Sequence, residues 1–180
     1  MKCFAKYFLA ALGALALAVA PALAQGFKPH PAPDFTLPDS TGHNLSLADF
    51  RGKVVLLQFF DPDCAVCQSH AAILEGLYTE FKDHGLTILG VTHNRGGAEA
   101  LRRFAQQYGV TYPLLVGDLE IAVRYLSITP QAYSYDTPHY FVINREETIV
   151  NEINPATDKT FATDAKGKLR EAIMKALLKQ

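Results

Sequence analysis

The chain has 180 residues, with 17 Lys and Arg against 18 Asp and Glu, and 49% of it is hydrophobic. That is enough for one domain with a sizeable core. A near-neutral balance without a basic stripe argues against nucleic-acid binding.

The first residues read as a targeting segment. Lys2 and Lys6 precede an apolar run from Phe8 to Ala20, which Pro21 breaks. Ala22-Leu23-Ala24 then supplies a small-x-small cleavage pattern, so residues 1–24 are expected to be a secretory signal peptide. The run is shorter than the roughly 20 apolar residues of a membrane span, which makes an uncleaved anchor the lesser reading. Cleavage removes two lysines, no acid and Cys3, and leaves a soluble, exported or periplasmic chain with two cysteines. No later apolar stretch reaches spanning length.

Residues 25–33 are proline-dense and read as an extended linker. The domain proper is expected over 34–180. Phe35–Leu37 and Asn44–Leu47 alternate around Pro38-Asp39-Ser40-Thr41-Gly42, which predicts a hairpin. Val54–Phe60 is a continuous apolar run, the mark of a central strand covered on both faces. A helix is expected from the cysteines onward, with Ile73, Leu74, Leu77, Tyr78 and Phe81 at helical spacing and Gly85 as its stop. Leu86–Thr92 reads as a second buried strand, Ala98–Tyr108 as a helix, Leu114–Val116 as a short strand and Leu119–Leu126 as a short helix. Tyr140–Asn144 and Thr148–Ile153 form two strands around a turn, and Ala165–Leu178 closes the chain as a helix. Strand–helix–strand first and two consecutive strands later imply an α/β domain with a mixed central sheet and helices on both faces. Function gathers beyond the carboxyl ends of the parallel strands, where Cys64 and Cys67 lie.

A disulfide between residues three apart closes almost no loop and is a weak staple, so the pair is there for its chemistry. A helix N-terminus favours a thiolate through its free N–H groups and partial positive charge. The second thiol lies one turn away. Cys64 is expected to attack a disulfide and Cys67 to resolve the mixed disulfide that results.

The sequence resembles the thioredoxin superfamily, and within it the exported TlpA/ResA-like thiol–disulfide oxidoreductases. The resemblance rests on Ala32-Pro33-Asp34-Phe35-Thr36-Leu37, on Leu47–Leu56, on Cys64-Ala65-Val66-Cys67 and on Thr137–Asn144, in that order. It implies a thioredoxin-like three-layer sandwich, no cofactor beyond the cysteines, and protein thiols and disulfides as substrates. It further implies a membrane electron donor and a role in cytochrome c or copper-site maturation. It makes Pro138 a cis-proline packed against the cysteines and gives the Thr137 backbone to a substrate strand.

Several residues depart from that pattern. Asp63 stands where relatives carry Trp, and the chain has no Trp. Gln58, six before Cys64, stands where an acid or Asn is usual, and glutamine cannot relay a proton. The stretch 127–136 is longer than the usual approach to the cis-proline. Asp61 and Asp63 are expected to oppose a Cys64 thiolate, which makes the dithiol a reductant.

Simpler readings stand beside these. His93 reads as a solvated loop residue, His70 as a polar-face helix residue and His139 as a strand residue facing away from the cysteines. Tyr133 and Tyr135 are either a substrate rim or packing within the domain. A Sco-like copper module would use Cys64, Cys67 and His139, but its cysteine spacing is usually one residue longer. A thiol peroxidase would need Thr or Ser where Asp61 stands.

Overall fold

The computed structural model describes residues 27–93, 95–129 and 135–179. The signal-peptide segment 1–24 and Tyr133 lie outside the described residues. Among the described residues no helix is long and apolar enough to cross a membrane.

The elements in chain order are β1 (His30–Pro31), β2 (Thr36–Pro38), β3 (Asn44–Ser46), β4 (Val54–Phe59), α1 (Ala65–Phe81), β5 (Leu86–Thr92), α2 (Gly97–Tyr108), β6 (Leu114–Val116), α3 (Leu119–Leu126), β7 (His139–Ile143), β8 (Thr148–Ile153) and α4 (Ala165–Leu178). Six strands form one mixed sheet in the order β1-β8-β7-β4-β5-β6, and β2 and β3 pair as a separate hairpin. β4, β5 and β6 run parallel, while β7, β8 and β1 add antiparallel rungs.

Every residue of β4 is buried, because both faces of the sheet are covered. Val54, Leu56 and Phe60 pack with α1, α2 and α4. Val55, Leu57 and Phe59 pack with α3 and the hairpin residues Phe35 and Leu37. This period-two split puts Gln58, the one polar residue of the strand, on the face that α1 covers.

α1 buries Cys67, His70, Ala71, Leu74, Leu77 and Phe81. These recur at three- and four-residue spacing, a single helical stripe headed by the second cysteine. A 3-10 turn over Lys82–His84 follows, and Gly85 leaves it at φ 91°, a left-handed conformation that only glycine adopts without strain. Asp118 and Asp164 cap α3 and α4 by accepting the N–H groups of Ile121 at 2.9 Å and Gly167 at 3.0 Å.

The proline-rich segment is extended, and its end joins the sheet. His30 and Pro31 pair with Ile149 and Thr148 of β8, and the Ala32 N–H donates to the Glu147 carbonyl at 2.8 Å. A two-residue strand between prolines carries no alternation, so sequence reading takes it for linker.

Gly90 in β5 is required for packing. A Cβ there would lie 2.7 Å from Leu114 Cδ2 and 3.0 Å from Phe60 Cε1. Gly90→Ala is therefore expected to destabilise the fold by about 1–3 kcal/mol, read as a lower midpoint in urea unfolding.

Candidate active site

Cys64 occupies the N-cap of α1, directly after the Asp61-Pro62-Asp63 turn that ends β4. Two hydrogen bonds to Asp61 build the turn: the Cys64 N–H donates to its carbonyl at 3.0 Å, and the Asp63 N–H to its side-chain Oδ1 at 2.9 Å. Gln68 Nε2 closes it by donating to the Pro62 carbonyl at 2.9 Å. The Cys64 sulfur takes the place that a capping oxygen usually holds, accepting the Cys67 N–H at 3.4 Å. Its own thiol points to the Thr137 carbonyl at 3.6 Å. The Thr137–Pro138 peptide is cis, and Pro138 is buried.

The two thiols are free and differ in environment. Burial pushes the half-buried Cys64 thiol upward, but donors outweigh it. The Cys67 N–H, the Cys67 and Thr137 side chains and the Val66 N–H together bring Cys64 below its ordinary value. Cys67 is fully buried, and burial pushes it up to about 12; the Asp61 N–H pulls the other way and only softens this. One thiol at the surface is thus the readier nucleophile, and one beneath it holds its proton.

The expected opposition from Asp61 and Asp63 does not set the sign at Cys64. The N–H donors around its sulfur do, so its shift is downward. Asp61 acts on the site through its backbone, whose carbonyl receives Cys64 and whose N–H faces Cys67, while its carboxylate holds the turn by accepting the Asp63 N–H. Val66, between the cysteines, is 48% exposed and gives the mouth an apolar lip.

His93 is exposed at the end of β5. His139 shares a face of β7 with Phe141, on which it stacks at 4.9 Å, and its Nε2 meets Glu152 Oε1 at 2.8 Å. Cys67 packs on the opposite face of the sheet, with Tyr140. Among the described residues no group of three or more His, Cys, Asp or Glu side chains is placed to hold a metal ion, so Cys64, Cys67 and His139 are not assembled as a ligand set. His70 is the correction: it is buried at 6% exposure, not on a polar face, and its Nδ1 lies 2.8 Å from the Tyr140 hydroxyl. The signal was available, since His70 is one turn after Cys67 and shares its stripe.

Gln58 lies opposite Tyr140 across the β4–β7 pairing, and both side chains are buried. Tyr112 is also buried in this cluster, with a hydroxyl that has no hydrogen-bond partner among the described residues. Sequence reading singled out neither tyrosine. Tyr135 packs edge-on to Phe59, with ring centroids 6.4 Å apart, and so joins the domain's own core.

This geometry carries thiol–disulfide exchange, and known proteins agree. The chain is 28% identical over 151 residues to the thiol-disulfide oxidoreductase ResA of Geobacillus kaustophilus, covering 83% of this chain and 70% of that one. It is 28% identical over 134 residues to ResA of Bacillus subtilis, covering 74% and 70%. Its fold matches the crystal structure of a thioredoxin-family thiol:disulfide interchange protein from Chlorobium tepidum with a TM-score of 0.69, at 20% identity over 84% of this chain and 98% of that one. The AhpC/TSA family profile covers residues 29–152. With most of its length inside that profile and its two cysteines at the mouth of a thioredoxin fold, the chain belongs to the AhpC/TSA family, as a ResA-like member of the thioredoxin superfamily.

Proposed function

We propose that this thiol–disulfide oxidoreductase works outside the cytoplasm as a reductant of protein disulfides, with Cys64 attacking and Cys67 resolving. The observation that carries the reading is the asymmetry of the two thiols: Cys64 at the surface and lowered, Cys67 buried and pushed up to about 12. A strong oxidant is one whose reduced form is stabilised. Here the second thiol gains no thiolate stabilisation, which favours closing the disulfide and handing electrons on. The Thr137 carbonyl, which enters the cis peptide to Pro138, lies 3.6 Å from the Cys64 sulfur, and the backbone of an incoming strand would pair there. The basic-then-apolar start of the chain supports export, and protein disulfides of cytochrome c or copper-site maturation fit a ResA-like enzyme. A membrane electron donor would restore the dithiol.

Equilibration with glutathione is the test of direction. A reductant is expected to lie toward about −270 mV, as thioredoxin does; a value near about −120 mV, as in strongly oxidising periplasmic enzymes, would reverse the assignment. Substrates are read separately. Cys67→Ser is expected to accumulate mixed disulfides on Cys64, because the resolving sulfur is gone, and Cys64→Ser is expected to accumulate none.

A further inference from the structure

The strand that leaves the cis-proline has a neighbour on only one side at its first residue. His139 opens β7 and pairs with Phe59 of β4, the last rung of that ladder. On the other side the pairing of β7 with β8 begins one residue later, at Tyr140 and Ile153. His139 also stands directly after the Thr137–Pro138 cis peptide, and the Thr137 carbonyl lies 3.6 Å from the Cys64 sulfur. The place where the ladder stops is therefore next to the reacting sulfur.

A side chain supplies the tie that the backbone omits. Glu152 of β8 pairs with Phe141, so it shares a face with His139 and lies diagonally across from it. Its Oε1 is 2.8 Å from His139 Nε2. A carboxylate only accepts, so Nε2 carries the proton and donates. The imidazole is 8% exposed and stacks on Phe141, with centroids 4.9 Å apart and planes 22° from parallel. Phe141 is itself packed against Phe59 and Tyr125, at 6.0 and 5.4 Å.

We infer that His139 and Glu152 are positioning residues for the exchange reaction, fixing the Thr137 main chain on which a substrate strand pairs. The inference rests on the pairing at Thr137 proposed above. Each link in the connection is a contact or a bond. Glu152 holds the imidazole, the imidazole holds the first residue of β7, and Pro138 joins that residue to Thr137. Neither side chain needs to touch a sulfur, because both act through the main chain. The two partners are unequal. Glu152 is 41% exposed and finds water if the pair is broken. The buried His139 donor does not, and an unsatisfied buried donor is costly. Without Glu152 the ring is drawn toward solvent and off Phe141, and residues 137–139 move with it. A misplacement of about 1 Å is enough to slow a reaction that depends on orientation.

The experiment uses the reduced full chain and two probes. One is a short cysteine peptide whose sulfur is joined to thionitrobenzoate. The other is the same peptide with the backbone N–H groups flanking the cysteine methylated, which keeps the disulfide and removes its strand pairing. Cys64 attacks the peptide sulfur, the bond to thionitrobenzoate breaks, and the coloured thiolate that leaves reports the rate. The wild type is expected to prefer the unmethylated peptide by about fivefold, the worth of one backbone hydrogen bond. Glu152→Ala is expected to cut that preference below about twofold, slowing the unmethylated peptide and leaving the methylated one unchanged. Glu152 is partly exposed, so the variant keeps its fold. His139→Phe keeps a ring on Phe141 but has no donor, and it is expected to match Glu152→Ala. The double variant is expected to be no worse than either, because the two residues act as one unit. Glu152→Gln retains an acceptor for the Nε2–H and is expected to restore the wild-type preference. A wild-type preference that survives intact in Glu152→Ala overturns the inference alone. A wild type that reacts equally with both peptides overturns the pairing at Thr137, and the inference falls with it.

Discussion

Iodoacetamide at pH 7 will alkylate Cys64 of the reduced protein and leave Cys67 intact, with a rate ratio of at least about a hundredfold. The magnitude comes from three opposing factors. Thiolate is the reactive form, and a thiol pushed up to about 12 has roughly one part in 10⁵ of it at pH 7, against at least about one part in 100 for an ordinary or lowered thiol. That favours Cys64 by roughly a thousandfold. The more basic thiolate is intrinsically the better nucleophile, which returns about thirtyfold to Cys67. Access then decides, because Cys67 has no exposed surface while Cys64 opens on the mouth of the site. Peptide mapping by mass spectrometry checks the outcome. Comparable labelling of both sulfurs would show that Cys67 is neither shielded nor raised.

Phe59→Ala will lower stability by about 3–5 kcal/mol, the range for emptying a large aromatic from a core. Phe59 is 1% exposed at the end of β4. It packs edge-on to Phe141 and Tyr135, with centroids 6.0 and 6.4 Å away, and tilted against Tyr125 at 5.6 Å. These rings come from β7, from the segment before Thr137 and from α3, so the cavity would be framed by elements that cannot all collapse into it. For a domain of this size the change corresponds to roughly 10 °C in Tm. Val66→Ala is the control. Its side chain is 48% exposed, and its removal is expected to stay within about 0.5 kcal/mol. Urea unfolding with an unchanged slope separates a true loss of stability from a change in the unfolded state.

The helices and strands that carry their own punctuation were legible in the sequence. α3 and α4 begin after Asp118 and Asp164 and fall on the expected residues, since a capping carboxylate is a local signal. The cysteine pair was legible for the same reason. What depends on long-range pairing was not. Gln58 meets Tyr140 only because β4 and β7 adopt one particular register, across more than eighty residues of chain. His70 was misplaced because a histidine counts as polar in a periodicity reading, and the stripe appeared to begin at Ile73. Cys67 sets its true start. Asp61 stands out in the sequence for its carboxylate, which accepts the Asp63 N–H, but its main chain shapes the site as well, and no sequence pattern announces a main-chain donor.

The pairing of β1 with β8 has a further consequence for self-association. The Ala32 N–H turns inward to Glu147, so the neighbouring residues of alternate parity along the exposed rim, Pro29 and Pro31, face outward. Proline has no N–H to offer. An unrelated strand approaching this rim would meet carbonyl acceptors without matching donors, and the ladder would stop there. The sheet thus closes its own margin with two residues that cannot extend it, a safeguard against edge-to-edge aggregation supplied by a segment that reads, in one dimension, as mere tether.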